Sequence, residues 1–89
     1  MRKNSNKKKE PFLEHLGNSI RVGRIDLFLS QEELGLRSGL HRTYITDIEN
    51  GLRNMSLMTS LRVATALESQ LSRHILAAEK GMVSKSKKR

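Results

Sequence analysis

The segment from Gln31 to Gly51 constrains the fold of this chain most, because it encodes two short helices joined by a tight turn. Ser30 followed by Glu33 fits a capping box, in which each side chain hydrogen-bonds the backbone N–H of the other residue. Gly39 and Gly51 stand where helices commonly end in the left-handed conformation. We therefore predict that one helix begins after Ser30 and ends at Gly39, and that a second helix ends at Gly51.

The residues between these signals predict how the two helices pack. Tyr44, Ile45 and Ile48 give the second helix an apolar face. Gly35 and Gly39 are small enough to let the two helices approach closely at a steep angle. The predicted bounds are about Gln31–Arg37 for helix 2 and Arg42–Asn50 for helix 3, in a helix-turn-helix arrangement.

A first helix is predicted to precede this pair, from Pro11 to about Phe28, because proline suits a first helical position. Its inner face is Phe12, Leu13, Leu16, Ile20 and Leu27. Gly23 interrupts that face at a cost of roughly 1 kcal/mol relative to alanine. One interpretation is that Phe28 or Leu27 fills the space left at Gly23.

Two more helices are predicted to follow the pair, which makes an all-α bundle of about five helices. Ser56 can cap helix 4, with an inner face of Leu57, Leu61, Ala64 and Leu67 and with Val63 alongside. Ser72 can cap helix 5, which is predicted to run to about Lys80 and to end at Gly81. The predicted domain therefore covers residues 11–80, between basic disordered tails at 1–10 and 81–89.

The pattern resembles the lambda-repressor-like (Xre/Cro-type) DNA-binding family over roughly residues 16 to 76. The residues that carry the resemblance are Gln31, Leu34, Gly35, Ser38, Gly39, Leu40, Ile45, Ile48, Glu49, Asn50 and Gly51. The run from Leu40 to Thr46, followed by Arg53-Asn54, is especially similar to restriction–modification controller proteins, which are small dimeric regulators. Phe28 departs from the family, which usually ends helix 1 with glycine, and Gly23 departs where the family usually has a large apolar residue.

The net charge of +8 is consistent with a nucleic-acid partner, but it is concentrated in the two tails. Each tail contributes +4, whereas residues 11–80 hold eight basic and eight acidic residues and are neutral. One hypothesis is that the tails add salt-sensitive, non-specific affinity for DNA. The alternative, equally open, is that they are solubilising ends.

Composition argues against several other classes of protein. The chain has no cysteine, and His15, His41 and His74 are too scattered for a metal site, so we expect no cofactor and interpret these histidines as surface groups. No nucleophile–base constellation or phosphate-binding glycine loop indicates an enzyme. No apolar run is long enough to span a membrane, and 89 residues leave no room for a domain that senses small molecules. We therefore expect a cytoplasmic, bacterial or phage-like protein associated with the nucleoid.

The predicted DNA-binding residues lie on helix 3 and around it. Arg42 is the strongest base-contacting candidate, because its guanidinium matches the O6 and N7 acceptors of guanine. The resemblance implies that residues 42, 43, 46 and 47 contact bases, that is, Arg42, Thr43, Thr46 and Asp47. Asp47 could accept from cytosine N4, but it is more readily interpreted as repelling phosphate or as holding an arginine in place. The predicted phosphate contacts are Ser30, Gln31, Tyr44, Asn50, Arg53 and Asn54, although Tyr44 could equally pack against the core.

The resemblance further implies an ion pair between Arg24 and Glu49, with a structural role. It also implies a homodimer whose interface on helix 5 includes Leu71, Ile75 and Leu76, with Met82 and Val83 as further candidates. The alternative is that these side chains only cover helices 1 and 4.

The predicted function is a sequence-specific transcriptional regulator that binds a pseudo-palindromic operator in double-stranded DNA, with the controller proteins as the nearest branch. RNA polymerase is a further candidate partner. The alternative function is an antitoxin, a similar DNA-binding domain whose main partner is a toxin protein. The residues do not distinguish an activator from a repressor, and they do not specify the operator.

Overall fold

The computed structural model describes residues 10–87, with side chains as far as Val83, and this part of the chain contains helices and no strand. The helices are α1 (Pro11–Asp26), α2 (Gln31–Ser38), α3 (Arg42–Glu49), α4 (Leu57–Ala66) and α5 (Leu71–Lys87). The five-helix bundle predicted from the sequence is thus confirmed. The predicted N-terminal tail, apart from Glu10, and the last two residues lie outside the described residues.

The capping signals around α2 and α3 act as the sequence predicts. The Ser30 hydroxyl accepts from the Glu33 N–H (2.9 Å), and the Glu33 carboxylate accepts from the Ser30 N–H (2.7 Å). Gly39 and Gly51 both have φ of +75°. A Cβ on Gly35 would lie 2.5 Å from the Leu40 carbonyl oxygen, so the turn requires a glycine there. The α2–α3 unit is therefore specified by local chemistry.

Helices α1 and α4 are also followed by a residue in the left-handed conformation, but in these two helices that residue is not glycine. The Phe28 N–H donates to the Ile25 carbonyl (2.9 Å), and the Leu29 N–H donates to the Arg24 carbonyl (3.1 Å). This pair of hydrogen bonds defines a Schellman motif, whose left-handed position usually holds glycine. Phe28 occupies it at φ 59°, and Glu68 does the same after α4. Helix α1 accordingly ends at Asp26 rather than at Phe28.

The core lies where α1 packs against α3 and α5, and where α2 packs against α3 and α4. Its buried side chains are Leu16, Ile20, Leu34, Ile45, Ile48, Val63, Leu67 and Ala78. The predicted inner face of α4 is wrong at two positions, because Leu57 and Leu61 are 75% and 45% exposed. The buried face of α4 is instead Ser60, Val63 and Ala64, followed by Leu67.

Two arginines join α2 and α4 reciprocally. Arg62 of α4 donates to the Ser38 carbonyl at the end of α2 (3.2 Å). Arg37 of α2 donates to the Ala66 carbonyl at the end of α4 (3.3 Å). Each helix thus satisfies a terminal carbonyl of the other helix, which favours their observed packing.

Helix α5 differs from the prediction at both ends. It begins at Leu71, so Ser72 lies inside the first turn and does not cap the helix. It also continues through Gly81 to Lys87, so residues 81–87 are helical where the C-terminal tail was predicted to be disordered. A Cβ on Gly81 would lie 2.6 Å from His15 Nδ1, which means that this glycine makes room for a side chain of α1 and does not end the helix.

The side chains that face Gly23 most closely are Leu67, which follows α4, and His74 of α5, rather than Phe28 or Leu27 as interpreted from the sequence. A Cβ on Gly23 would lie 3.4 Å from Leu67 Cδ1 and 3.5 Å from His74 Cε1. Phe28 cannot fill the space beside Gly23, because it is 93% exposed. His74 was interpreted as a surface group, but only 6% of it is exposed and its Nδ1 is 2.7 Å from the Ser19 hydroxyl. The sequence could not indicate this contact, since the two residues are far apart along the chain.

Candidate nucleic-acid interface

Helix α3 separates core residues from polar residues around its circumference. Ile45, Ile48 and Glu49 are buried against the bundle. Arg42 and Thr43 are exposed at the N-terminal end, and Thr46 and Asp47 are half-buried one turn later. Because residues i, i+1, i+4 and i+5 share one side of a helix, these four side chains form one polar surface. All four predicted base-contacting residues therefore lie together, on the side away from the core.

The start of α2 lies beside that surface. The Ser30 N–H and the Glu33 carboxylate are already joined in the capping box, and the hydrogen bond from the Ser30 backbone lowers the pKa of Glu33. The Ser30 hydroxyl accepts from the backbone and keeps its own proton to donate. A phosphate at this helix end would thus be bound mainly by the Ser30 hydroxyl and by Gln31, rather than by the Ser30 N–H.

A buried ion pair lies directly behind α3. Arg24 donates from Nε to Glu49 Oε2 (2.7 Å) and from Nη2 to Glu49 Oε1 (2.9 Å). Its third donor, Nη1, reaches the Leu29 carbonyl (2.9 Å), so the guanidinium also holds the α1–α2 turn. The Glu49 side chain is only 2% exposed, and the hydrogen bonds that Arg24 donates to Glu49 raise the pKa of Arg24. This pair fixes the end of α3 relative to α1.

Gln31 connects the ion pair to the polar surface of α3. Its Nε2 donates to Glu49 Oε1 (3.0 Å), and its Oε1 accepts from the Thr46 hydroxyl (2.9 Å). Sequence reasoning assigned Gln31 to phosphate contact alone and missed these two bonds. The available signal was the presence of two polar residues, Gln31 and Thr46, on facing helices of a close-packed helix pair.

At the other end of α3, Asp47 and Tyr44 both contact Arg53. The Arg53 Nε is 3.6 Å from Asp47 Oδ2, and the guanidinium carbon lies 4.4 Å from the centre of the Tyr44 ring. Tyr44 is also partly buried against the core. Of the three roles considered for Asp47, this arrangement corresponds to the one in which it holds an arginine in place.

The remaining predicted residues flank α3. Asn50 is the exposed C-cap of the helix, and Asn54 is exposed in the following loop. His41 was interpreted only as solvated, but it is the N-cap of α3: its Nδ1 accepts from the Thr43 N–H (3.1 Å). Histidine is not among the preferred N-cap residues, so this role could not be predicted from the residue type.

The predicted dimer residues on α5 differ in exposure. Leu71 and Ile75 are half-buried, and Ile75 packs against the core. Leu76 is 52% exposed, and Val83, seven residues later on the same face, is 55% exposed. These two residues leave an apolar strip on the outer face of α5, and Met82 lies beside them.

Within residues 10–87, no helix is long and apolar enough to cross a bilayer. Over the same residues, no cluster of three acidic, histidine or cysteine side chains could hold a metal ion.

Comparison with known proteins gives consistent matches. The helix-turn-helix family profile matches residues 20–73, more than half of the chain. Control protein C.SmaI of Serratia marcescens is 42% identical over 72 residues, which cover 76% of this chain and 86% of that protein. Control protein C.BamHI of Bacillus amyloliquefaciens is 50% identical over 42 residues, 47% of this chain, and the match spans 52% of that protein's length.

A solved structure matches as well. The restriction-modification controller protein C.AhdI from Aeromonas hydrophila is 41% identical, with a TM-score of 0.67. The match covers 71% of this chain and 94% of that chain. Sequence and structure thus lead to the same group of proteins.

Proposed function

This chain belongs to the helix-turn-helix family of DNA-binding transcriptional regulators, and on that premise we propose that it is a controller-type regulator that binds a pseudo-palindromic operator as a homodimer. The family is one of DNA-binding regulators rather than enzymes. In this proposal the protein acts on nucleoid DNA in the cytoplasm, without a cofactor or a small-molecule ligand.

The observation that carries the proposal is the polar surface of α3. A B-DNA major groove admits one helix, and the N-terminal residues of a recognition helix contact the base edges. The exposed Arg42 and Thr43 occupy that N-terminal end, with Thr46 and Asp47 behind them. Phosphate contacts come from Ser30 and Gln31 on one side, and from Tyr44, Asn50, Arg53 and Asn54 on the other.

A homodimer follows from the small footprint of one helix. A single recognition helix contacts few base pairs, so two copies related by a two-fold axis are needed for a long operator. The exposed strip of Leu76 and Val83 on α5, continued by the half-buried Leu71 and Ile75, supports an interface there. Leu76→Glu is expected to shift the protein from dimer to monomer in sedimentation equilibrium, while its circular dichroism spectrum stays helical.

The test of DNA recognition is selection of bound sites from random duplex DNA, with wild type, Arg42→Ala and Arg73→Ala in parallel. Arg73 is an exposed arginine on α5, so its substitution removes the same charge away from α3. We expect wild type and Arg73→Ala to enrich the same pseudo-palindrome, and Arg42→Ala to lose a guanine preference in each half-site. The absence of any enriched motif with wild type would contradict the proposal.

A second candidate function, that of an antitoxin, is favoured by one surface. Leu36 of α2 and Leu61 of α4 are 78% and 45% exposed, and they line one open groove between the two helices. An exposed apolar patch commonly marks a protein–protein contact. A toxin gene beside the gene for this chain would favour the antitoxin, whereas a restriction–modification operon would favour the controller protein. RNA polymerase is a further candidate partner for the same surface.

A further inference from the structure

A series of hydrogen bonds leads from the buried ion pair to the polar surface of α3. Arg24 donates twice to Glu49, Glu49 accepts from Gln31 Nε2 (3.0 Å), and Gln31 Oε1 accepts from the Thr46 hydroxyl (2.9 Å). The side chains of Arg24 and Glu49 are 13% and 2% exposed. Thr46, at the other end of the series, faces the surface assigned to DNA. The direction of each bond in this series can be worked out from chemistry.

The direction follows from Glu49, because a carboxylate paired with a guanidinium can only accept. Gln31 must therefore turn its amide nitrogen toward Glu49, and this leaves its amide oxygen toward Thr46. An amide oxygen also only accepts, so the Thr46 hydroxyl must donate to it. The other neighbour of that hydroxyl within the described residues is the Arg42 carbonyl oxygen (3.1 Å), which is an acceptor as well.

We infer that Thr46 recognises its base as a hydrogen-bond acceptor only, and that Gln31 and Glu49 are the positioning residues that impose this. The inference rests on the proposed function. A hydroxyl has one proton, and both internal partners of Thr46 require it, so only lone pairs remain for DNA. In the major groove, adenine N6 and cytosine N4 are donors, whereas guanine N7 and O6 and thymine O4 are acceptors. Thr46 therefore favours adenine or cytosine at the base that its hydroxyl contacts.

Thr43 provides an internal comparison on the same helix. It is exposed, and among the described residues no side chain hydrogen-bonds its hydroxyl. The Thr43 hydroxyl can therefore donate or accept, and it does not impose the same choice between bases. Two threonines one turn apart thus have different recognition properties, because only one of them is connected to the buried ion pair.

The experiment is a binding-site selection with wild type, Thr46→Val, Thr43→Val and Gln31→Met. Valine keeps the branched shape of threonine and its methyl group, and it replaces the hydroxyl with a second methyl group. We expect one base pair in each half-site whose preference in wild type is lost in Thr46→Val. The contact should be to the amino group of its adenine or cytosine, so that replacing adenine by purine or cytosine by 2-pyrimidinone at this base pair weakens wild-type binding and leaves Thr46→Val binding unchanged. Affinity for the preferred site, measured by fluorescence anisotropy, should fall roughly 3- to 10-fold, the size of one net hydrogen bond. Thr43→Val should leave the preference at this position unchanged.

Gln31→Met tests the positioning role. Methionine keeps the length of the side chain and removes its amide, so the Thr46 hydroxyl loses its closer acceptor and can turn toward the base. We expect the affinity ratio between amino-bearing and carbonyl-bearing bases at the Thr46 position to fall toward one. The loss of a phosphate contact would weaken binding to all sequences equally and would leave this ratio unchanged.

Each other outcome overturns the inference. If wild-type binding depended instead on guanine O6 or thymine O4 of that base pair, and was unaffected by removal of the amino group, the hydroxyl would be shown to donate. No change with Thr46→Val would show that it does not contact a base, and an unchanged ratio in Gln31→Met would remove the positioning role. A variant that keeps the guanine preference assigned to Arg42 is folded, because that preference requires an intact helix α3. A wild type without any motif would instead contradict the proposed function itself.

Discussion

The two faces of α1 are built differently. Toward α3, Gly17 brings the backbones so close that a Cβ would lie 2.8 Å from the Glu49 carbonyl oxygen. On the same side, each guanidinium nitrogen of Arg24 donates a hydrogen bond, either to Glu49 or to the Leu29 carbonyl. Toward α5, Gly23 leaves room for a methyl group. On that side the buried His74 has no hydrogen-bond partner for Nε2 among the described residues.

The helix termini repeat this contrast. Helices α2 and α3 end with glycines at φ +75°, whereas α1 and α4 have Phe28 and Glu68 in the left-handed region. The lesson is that local chemistry is closest to ideal around the helix that we assign to DNA. The deviations lie at the ends of α1 and α4 and on the α5 side of α1.

The largest expected effect comes from opening the ion pair. Arg24→Met leaves the Glu49 carboxylate buried without its counter-charge, and we expect the free energy of unfolding to fall by about 3–5 kcal/mol in urea denaturation. The control is the double variant Arg24→Met/Glu49→Leu, which removes the buried charge and should recover most of the loss. A cost below about 1 kcal/mol for Arg24→Met would show that the α3 face does not depend on the pair.

The same substitution at two glycines of α1 compares its faces directly. Gly17→Ala should lower the free energy of unfolding by about 1–3 kcal/mol, because the methyl group collides with the backbone of α3. Gly23→Ala should raise it by up to about 1 kcal/mol, because the methyl group fits and alanine favours helix. Thermal denaturation of both variants gives the signs. If both changes had the same sign, the proposed difference between the faces would be wrong.

Exchanging residues at the left-handed positions compares the termini. Phe28→Gly should stabilise the protein by about 0.5–1 kcal/mol, because glycine adopts positive φ without strain and the exposed ring contributes little packing. Gly51→Ala is the matched reverse change at the end of α3. It should destabilise, since a Cβ there would also lie 2.9 Å from Glu14 Cα. Lower melting temperatures for both variants would contradict the strain assigned to Phe28.

The smallest expected effect is a pH dependence from His74. Burial, with a contribution from the charge of Arg73, lowers the pKa of His74 below its ordinary value of 6.5, so the unfolded chain binds this proton more readily than the folded chain. Stability is therefore complete above about pH 6.5 and declines as the pH falls through that value toward the folded-state pKa. His74→Gln should flatten the decline between roughly pH 7.5 and pH 5 in urea titrations. If the free energy of unfolding declined as steeply in this variant, the decline would come from titratable groups other than His74.

The sequence predicted the parts of the fold that depend on neighbouring residues. Ser30 with Glu33, and Gly39 and Gly51, marked the ends of α2 and α3, because capping and positive φ are satisfied within a few residues. The order and number of helices followed from the same kind of signal. The prediction that helix 5 ends at Gly81 was wrong because glycine permits a helix end but equally permits the close approach of His15.

What the sequence determined by itself was the helix-turn-helix unit and the polar side of α3. Only the tertiary structure decided the contact of His74 with Ser19, the outward orientation of Leu57 and Leu61, and the connection of Thr46 through Gln31 to Glu49. The physical reason is distance along the chain. A cap or a glycine turn is satisfied locally, whereas the burial of a side chain and the direction of its hydrogen bonds depend on which distant helix packs against it.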